Sequence, residues 1–137
     1  MKAMMKTLIL VVLVAAAYGI IFAVQLESRI GPAGAMRHVP AGSPEWFEAA
    51  QRWVAIARYG VWPLLILAGA AAQRFWCPNL PVWTCTAVAV PAVIACSGLE
   101  SSELLLCAGY VLLALLAGFV ISRRRDIIAP PSGAAGR

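Results

Sequence analysis

Residues 7–24 read TLILVVLVAAAYGIIFAV, an apolar stretch of 18 residues that contains no charged side chain. About 20 apolar residues in a helix cross the hydrocarbon core of a bilayer, so this stretch predicts a membrane-spanning helix. The composition of the whole chain agrees, because 62% of its 137 residues are apolar and 12% are charged, whereas soluble domains have about 25% charged residues. The sequence therefore predicts an all-α integral membrane protein whose main surroundings are the lipid bilayer.

Three more stretches are long and apolar enough to span a membrane. They cover residues 54–72, 80–99 and 104–121. Together with the first stretch they predict a four-transmembrane-helix bundle that forms a single domain over residues 1–128. The tail over residues 129–137 is small and proline-bearing, and it is predicted to be disordered.

Basic residues fall unevenly around the predicted spans. If the N-terminus is inside, the inner side holds seven of them, Lys2, Lys6, Arg74, Arg123, Arg124, Arg125 and Arg137. The outer side then holds three, Arg29, Arg37 and Arg52. Because basic residues near span ends stay in the cytoplasm, the sequence predicts an inner (plasma) membrane protein with both termini cytoplasmic. The net charge of +5 is then a topology signal, with anionic lipid as its partner, and no nucleic-acid partner is predicted.

The outer connection between the first two spans covers residues 25–53. Its first part, 25–42, is rich in glycine and proline and is predicted to be a loop. Ser43 can then cap a helix with Pro44 at its first position. Apolar residues recur at helical spacing from there, so residues 44–53 are predicted to form a short amphipathic helix at the outer interface that continues into the second span.

The first span has an alternative interpretation as a cleaved signal peptide. Two lysines precede it, and Ala15, Ala16 and Ala17 supply a pattern of small residues that suits cleavage after Ala17. The apolar stretch continues to Val24, however, and cleavage would leave an apolar new N-terminus. The orientation of the later spans is the same in either case.

Arg58 is the one charged residue inside a predicted span. A charge in a membrane helix is costly and usually faces a partner, a water path or the bundle interior. Its side chain can instead reach the interface or pair with Glu48, Glu100 or Glu103. Contact with an anion, a substrate or another subunit is the alternative.

Two prolines and two cysteines also lie within the spans. Pro63 and Pro91 stand near the middle of their helices and are predicted to kink them, with a transport site as the less favoured interpretation. Cys96 and Cys107 lie near the outer ends of neighbouring antiparallel helices. They are predicted either to form a disulfide or to serve as small apolar packing residues.

Small residues repeat every fourth position on two of the spans, which lets membrane helices approach closely. Ala15, Gly19 and Ala23 form such a line on the first span, and Ala114 and Gly118 form another on the fourth. These lines are predicted packing faces. They serve either the bundle itself or contact with another protein.

Several kinds of chemistry lack the residues that they need. The single histidine, His38, cannot supply two haem ligands, and no cysteine or histidine cluster has zinc spacing. No acid lies within a span, and no nucleotide-binding or hydrolase motif occurs. We therefore predict no catalytic, cofactor-binding or metal-binding residue, and the chain is not expected to be an enzyme.

Two functions remain. The sequence favours a small non-catalytic accessory, assembly or interaction subunit of a membrane complex, bound to other membrane protein subunits or to itself. The alternative is a small transporter, channel or pore-forming oligomer with Arg58 near the pathway.

Overall fold

A computed structural model describes residues 2–96 and 101–128 of the chain, without the side chain of Ser101. All the regular secondary structure of this part is helical. The elements are α1 (Lys2–Ser28), α2 (Gly31–Ala35), α3 (Pro44–Ile56), a π-helical turn (Ala57–Val61), α4 (Trp62–Trp76), a 3₁₀ helix (Val82–Ala89), α5 (Val90–Cys96) and α6 (Ser101–Ile128). The predicted disordered tail, 129–137, lies outside the described residues.

Within the described part of the chain, three helices are long and apolar enough to cross a membrane. They are Lys2–Ser28, Pro44–Trp76 and Ser102–Ile128, and they contain the predicted first, second and fourth spans. The predicted third span, 80–99, is different, because it forms a shorter apolar helix over Val82–Cys96. Its last three residues lie outside the described part of the chain.

The long helical segments pack side by side with alternating directions. α4 contacts α1, α6 and the 3₁₀ helix, and α6 also contacts the 3₁₀ helix and α5. The start of α1 and the end of α4 meet where Gln73 reaches Thr7, which marks what we call the Arg74 end of the molecule. The opposite end, called here the Arg58 end, is where Arg58 meets Glu103 near the start of α6.

Two glycines permit close approach between helices in this core. A Cβ atom on Gly69 of α4 would lie 2.3 Å from a methyl carbon of Val88 and 3.0 Å from one of Val14. A Cβ atom on Gly118 of α6 would lie 2.8 Å from the sulfur of Cys85. Real Cβ atoms do not approach other atoms this closely, so helix spacing at both points depends on glycine.

Aromatic rings fill the core towards the Arg58 end. The rings of Tyr18 and Trp62 stack with centroids 4.3 Å apart, and Phe22 packs at 5.4 Å from Trp53. Trp53 and Trp62 are both buried. Trp62 therefore holds α4 against α1.

The predicted loop over residues 25–42 contains more helix than its composition suggests. α1 continues to Ser28, and the next residue, Arg29, has a left-handed φ of 57°. The short helix α2 follows at once, and a Cβ atom on Gly34 would lie 2.4 Å from the backbone carbon of Arg29. Glycine thus lets α2 fold back against the end of α1, a contact that local composition does not reveal.

α3 begins at the predicted position. The hydroxyl of Ser43 accepts a hydrogen bond from the backbone N–H of Trp46 at 3.2 Å, and Pro44 occupies the first turn. Both features satisfy or remove backbone donors that a helix start leaves unpaired. From there the chain stays helical through the π-helical turn to Trp76.

Candidate functional site

Arg58 and Glu103 form an ion pair between the π-helical turn and α6. Nη2 of Arg58 donates to Oε1 of Glu103 at 2.8 Å, and the two side chains are 31% and 18% exposed. Of the other two acids predicted as partners, Glu48 pairs with Arg52, and Glu100 lies outside the described residues. The pair joins two helices through residues that are 45 positions apart in the sequence.

Pro63 explains why the turn before it is π-helical. In an α-helix its ring would clash with the carbonyl of Tyr59, and it has no N–H to donate. The structure widens the helix one turn earlier, where the N–H of Trp62 donates to the carbonyl of Ala57, five residues before it. An inserted residue of this kind is a common way to accommodate proline within a long helix.

The wider turn leaves the backbone carbonyl of Arg58 without a helical donor. Trp62, its α-helical donor, is bonded to Ala57, and the next residue, Pro63, has no N–H. The hydroxyl of Tyr110 on α6 donates to this carbonyl instead. This hydrogen bond is partly buried, and a carbonyl left there without a donor would be costly. Tyr110 therefore completes the turn, although nothing in the sequence distinguishes this tyrosine.

The helix becomes tighter before Pro91, whereas it becomes wider before Pro63. Its missing N–H would have served the carbonyl of Ala87, and the N–H of Val90 donates to that carbonyl instead. A donor three residues on is the 3₁₀ pattern, which is tighter than the α-helix. The two prolines predicted as kinks thus lie where the helical hydrogen-bond pattern changes.

The two cysteines that were predicted to pair, Cys96 and Cys107, lie close to Tyr110. The sulfur of Cys96 contacts the hydroxyl of Tyr110 at 3.9 Å, and the thiol of Cys107 donates to the carbonyl of Val93 at 3.9 Å. All four cysteines of the chain are free thiols in the structure. The disulfide is therefore not formed here and stays a prediction.

A second polar cluster lies at the Arg74 end. The guanidinium of Arg74 donates to the carbonyls of Leu80 and Pro78 at 2.7 and 3.2 Å and to the hydroxyl of Ser122 at 3.0 Å. Arg125 of α6 donates to the carbonyl of Arg74 at 3.1 Å. Arg74, predicted only as a basic residue at a span end, is buried and binds the turn after α4 to α6.

Gln73 is the neighbouring buried polar residue, and it links three helical segments. Its Nε2 donates to the hydroxyls of Thr84 at 3.0 Å and Thr7 at 3.4 Å. Both hydroxyls use their own protons on backbone carbonyls, so each accepts from the amide. The sequence shows Gln73 only as an amide directly before Arg74 at the end of a span. Polar residues are common at span ends, so this position does not predict a link between helices.

The two predicted packing faces have different surroundings. Ala114 and Gly118 of α6 are buried, and Gly118 faces Cys85 of the 3₁₀ helix. Ala15, Gly19 and Ala23 of α1 are all exposed, and a Cβ atom on Gly19 would have no atom within 4 Å. The line on α6 is used inside the molecule, and the line on α1 is open.

The polar groups of these clusters are engaged mainly with one another and with backbone carbonyls. Among the residues that the structure describes, no group of three or more histidine, cysteine or acidic side chains is arranged to hold a metal ion. The geometry accounts for Arg58, Tyr110, Gln73 and Arg74 as links between helices. Comparison with protein-family models, with curated proteins and with solved structures finds no match for this chain.

Proposed function

We propose that this protein is a non-catalytic accessory, assembly or interaction subunit of a larger inner-membrane complex. The observation that supports this proposal is the open line of small residues on α1, Ala15, Gly19 and Ala23. Association of helices in lipid depends on close packing rather than on the hydrophobic effect, and small residues permit it. A partner helix that packs on this face is the use that the proposal assigns to it.

The contrast with α6 strengthens the proposal. Gly118 has a use inside the molecule, since its missing side chain makes room for Cys85. Gly19 has no such use, because the space beside it is empty. A helix that only faced lipid would tolerate large residues at this position.

The membrane arrangement is part of the proposal. The shorter apolar segment Val82–Cys96 serves as a fourth span beside the three long helices. The Arg74 end faces the cytoplasm, because Lys2, Lys6 and the basic end of α6 collect there. α3 then lies at the outer interface.

The transporter alternative depends on Arg58. The contacts around this residue support a transporter less than they support an accessory subunit. Its charge is matched by Glu103, and its carbonyl is matched by Tyr110. A structural role explains both contacts without a transported solute. The cavity beside Arg58, about 340 Å³, is an open groove with mainly apolar walls on the outer surface of the helix.

The test compares substitutions at two glycines, each of which has open space beside its Cα atom. Gly19→Leu blocks the open face of α1, and Gly109→Leu is the matched control, because a Cβ atom at either glycine meets nothing within 4 Å. Both variants should therefore fold like the wild type. Complexes are extracted in mild detergent, and their composition and stoichiometry are measured by native mass spectrometry.

We expect Gly19→Leu to lose the partner or second copy at least tenfold relative to wild type, with Gly109→Leu unchanged. Equal losses in both variants would show that the face of α1 is not specific. A wild-type protein that is always monomeric and alone would contradict the proposed function altogether.

A further inference from the structure

A small cavity with two lysines lies at the Arg74 end, between the first turns of α1 and the turn after α4. Its volume is about 260 Å³, and its walls include Lys2, Lys6, Trp76 and Asn79. Both lysines are exposed. No carboxylate of the described residues lies within ion-pair distance of either lysine amine. The cavity therefore offers two positive charges and an amide to a ligand.

A larger groove runs between α1 and the 3₁₀ helix. Its volume is about 670 Å³, and most of its wall is apolar, including Leu8, Val11, Trp83 and Val90. Leu80 lines both this groove and the lysine cavity. A polar, positively charged cavity and an apolar groove thus share a wall.

We propose that these two cavities together bind one anionic phospholipid. The phosphate group lies at Lys2, Lys6 and Asn79, and an acyl chain lies in the groove between α1 and the 3₁₀ helix. Basic pockets at the cytoplasmic ends of membrane helices bind anionic head groups in this manner. The exposed rings of Trp76 and Trp83 suit the head-group layer, where amphipathic rings concentrate.

The combination of charge and groove selects this ligand over others. A soluble anion would use the lysines but would leave the apolar groove empty. A partner's apolar helix would fill the groove but would leave both lysines without a negative partner. A lipid with a negative head group satisfies both parts with one molecule.

The test measures lipid selectivity of the full chain. The protein is reconstituted in nanodiscs that contain equal amounts of phosphatidylglycerol and phosphatidylcholine with the same acyl chains, and retained lipid is identified by native mass spectrometry. Lys2→Gln/Lys6→Gln removes the proposed phosphate contacts. Arg123→Gln/Arg124→Gln removes two exposed charges from the same end of the molecule and is the matched control.

We expect wild type to retain phosphatidylglycerol in preference to phosphatidylcholine. The lysine double variant should lower that preference about fivefold for each lysine removed, while the arginine double variant stays within about twofold of wild type. Equal losses in the two double variants would overturn the proposal, because net charge would then explain the preference. So would a wild type without preference.

A third variant tests the groove without changing any charge. Ala87 lines the groove, and Ala87→Leu adds a side chain where the acyl chain is proposed to lie. This variant should also lower retention of phosphatidylglycerol by severalfold, with its unfolding midpoint unchanged. If retention stays at the wild-type level, the lysines bind head groups without the groove, and the single site is refuted.

Discussion

The role of Tyr110 gives the sharpest test of the structure. Replacing it by Phe keeps the ring, which is 3% exposed in the core, and removes only the hydroxyl that donates to the carbonyl of Arg58. That carbonyl has no other donor among its α- and π-helical neighbours, because Trp62 is bonded to Ala57 and Pro63 has no N–H. The variant therefore leaves one carbonyl unpaired.

The magnitude follows from the cost of leaving a partly buried carbonyl without a donor. Removing one partner of a buried hydrogen bond costs ~1–3 kcal/mol, so Tyr110→Phe should lower the free energy of unfolding by about that amount. Tyr59→Phe is the control, since Tyr59 is on the same turn and is 74% exposed. It should change stability by less than ~0.5 kcal/mol.

A double-mutant cycle tests the reason for the bond. Pro63→Ala restores a backbone N–H, so the carbonyl of Arg58 gains a helical donor, either the N–H of Trp62 in an α-helical turn or that of the introduced alanine in a π-helical one. In that background Tyr110→Phe should cost less than it does in wild type, and a coupling energy of ~1 kcal/mol or more is expected.

The measurement is the midpoint of SDS-induced unfolding in mixed micelles, followed by tryptophan fluorescence, with each variant titrated under the same conditions. The slopes must match before midpoints are compared as stabilities. If Tyr110→Phe costs the same with and without Pro63, the hydroxyl does not replace the missing N–H, and the explanation of the π-helical turn is wrong.

Two further predictions concern the packing and the ion pair. Gly69→Ala should destabilise the protein relative to Gly19→Ala by ~1–3 kcal/mol, because its Cβ atom would lie 2.3 Å from Val88 whereas that of Gly19 meets nothing; equal unfolding midpoints would contradict the close approach of α4 and the 3₁₀ helix. Arg58→Gln and Glu103→Gln should each destabilise the protein, and the double variant should cost less than the sum, with a coupling of ~0.5–3 kcal/mol. Strict additivity in the same titration would show that the pair at 2.8 Å does not stabilise the protein.

The parts of the fold that were predicted from sequence depend on local chemistry or on the bilayer. The apolar stretches near 7–24, 54–72 and 104–121 lie in helices long enough to span a membrane. The start of α3 was likewise set by two neighbouring residues, Ser43 and Pro44. Each of these features is decided by one continuous stretch of sequence, so no distant residue had to be known.

The candidate sites were predicted less completely. Arg58 stood out because a charge is rare in an apolar stretch. The sequence of the chain contained three acids that could pair with it, and nothing in the sequence chose among them. Gln73, Arg74 and Tyr110 gave no comparable signal. Their roles depend on which helix lies opposite, and that is a property of the packed molecule.

By itself, the sequence determined that the chain is helical and suited to a membrane, because lipid leaves backbone groups no partners except those within a helix. It also determined where small residues permit close packing. Only the tertiary structure decided that the line on α6 is used internally and the line on α1 is open, that Glu103 is the partner of Arg58, and that Tyr110 serves the turn before Pro63. The physical reason is that hydrophobic stretches specify helices one at a time, whereas hydrogen bonds and close contacts between helices specify how they pair.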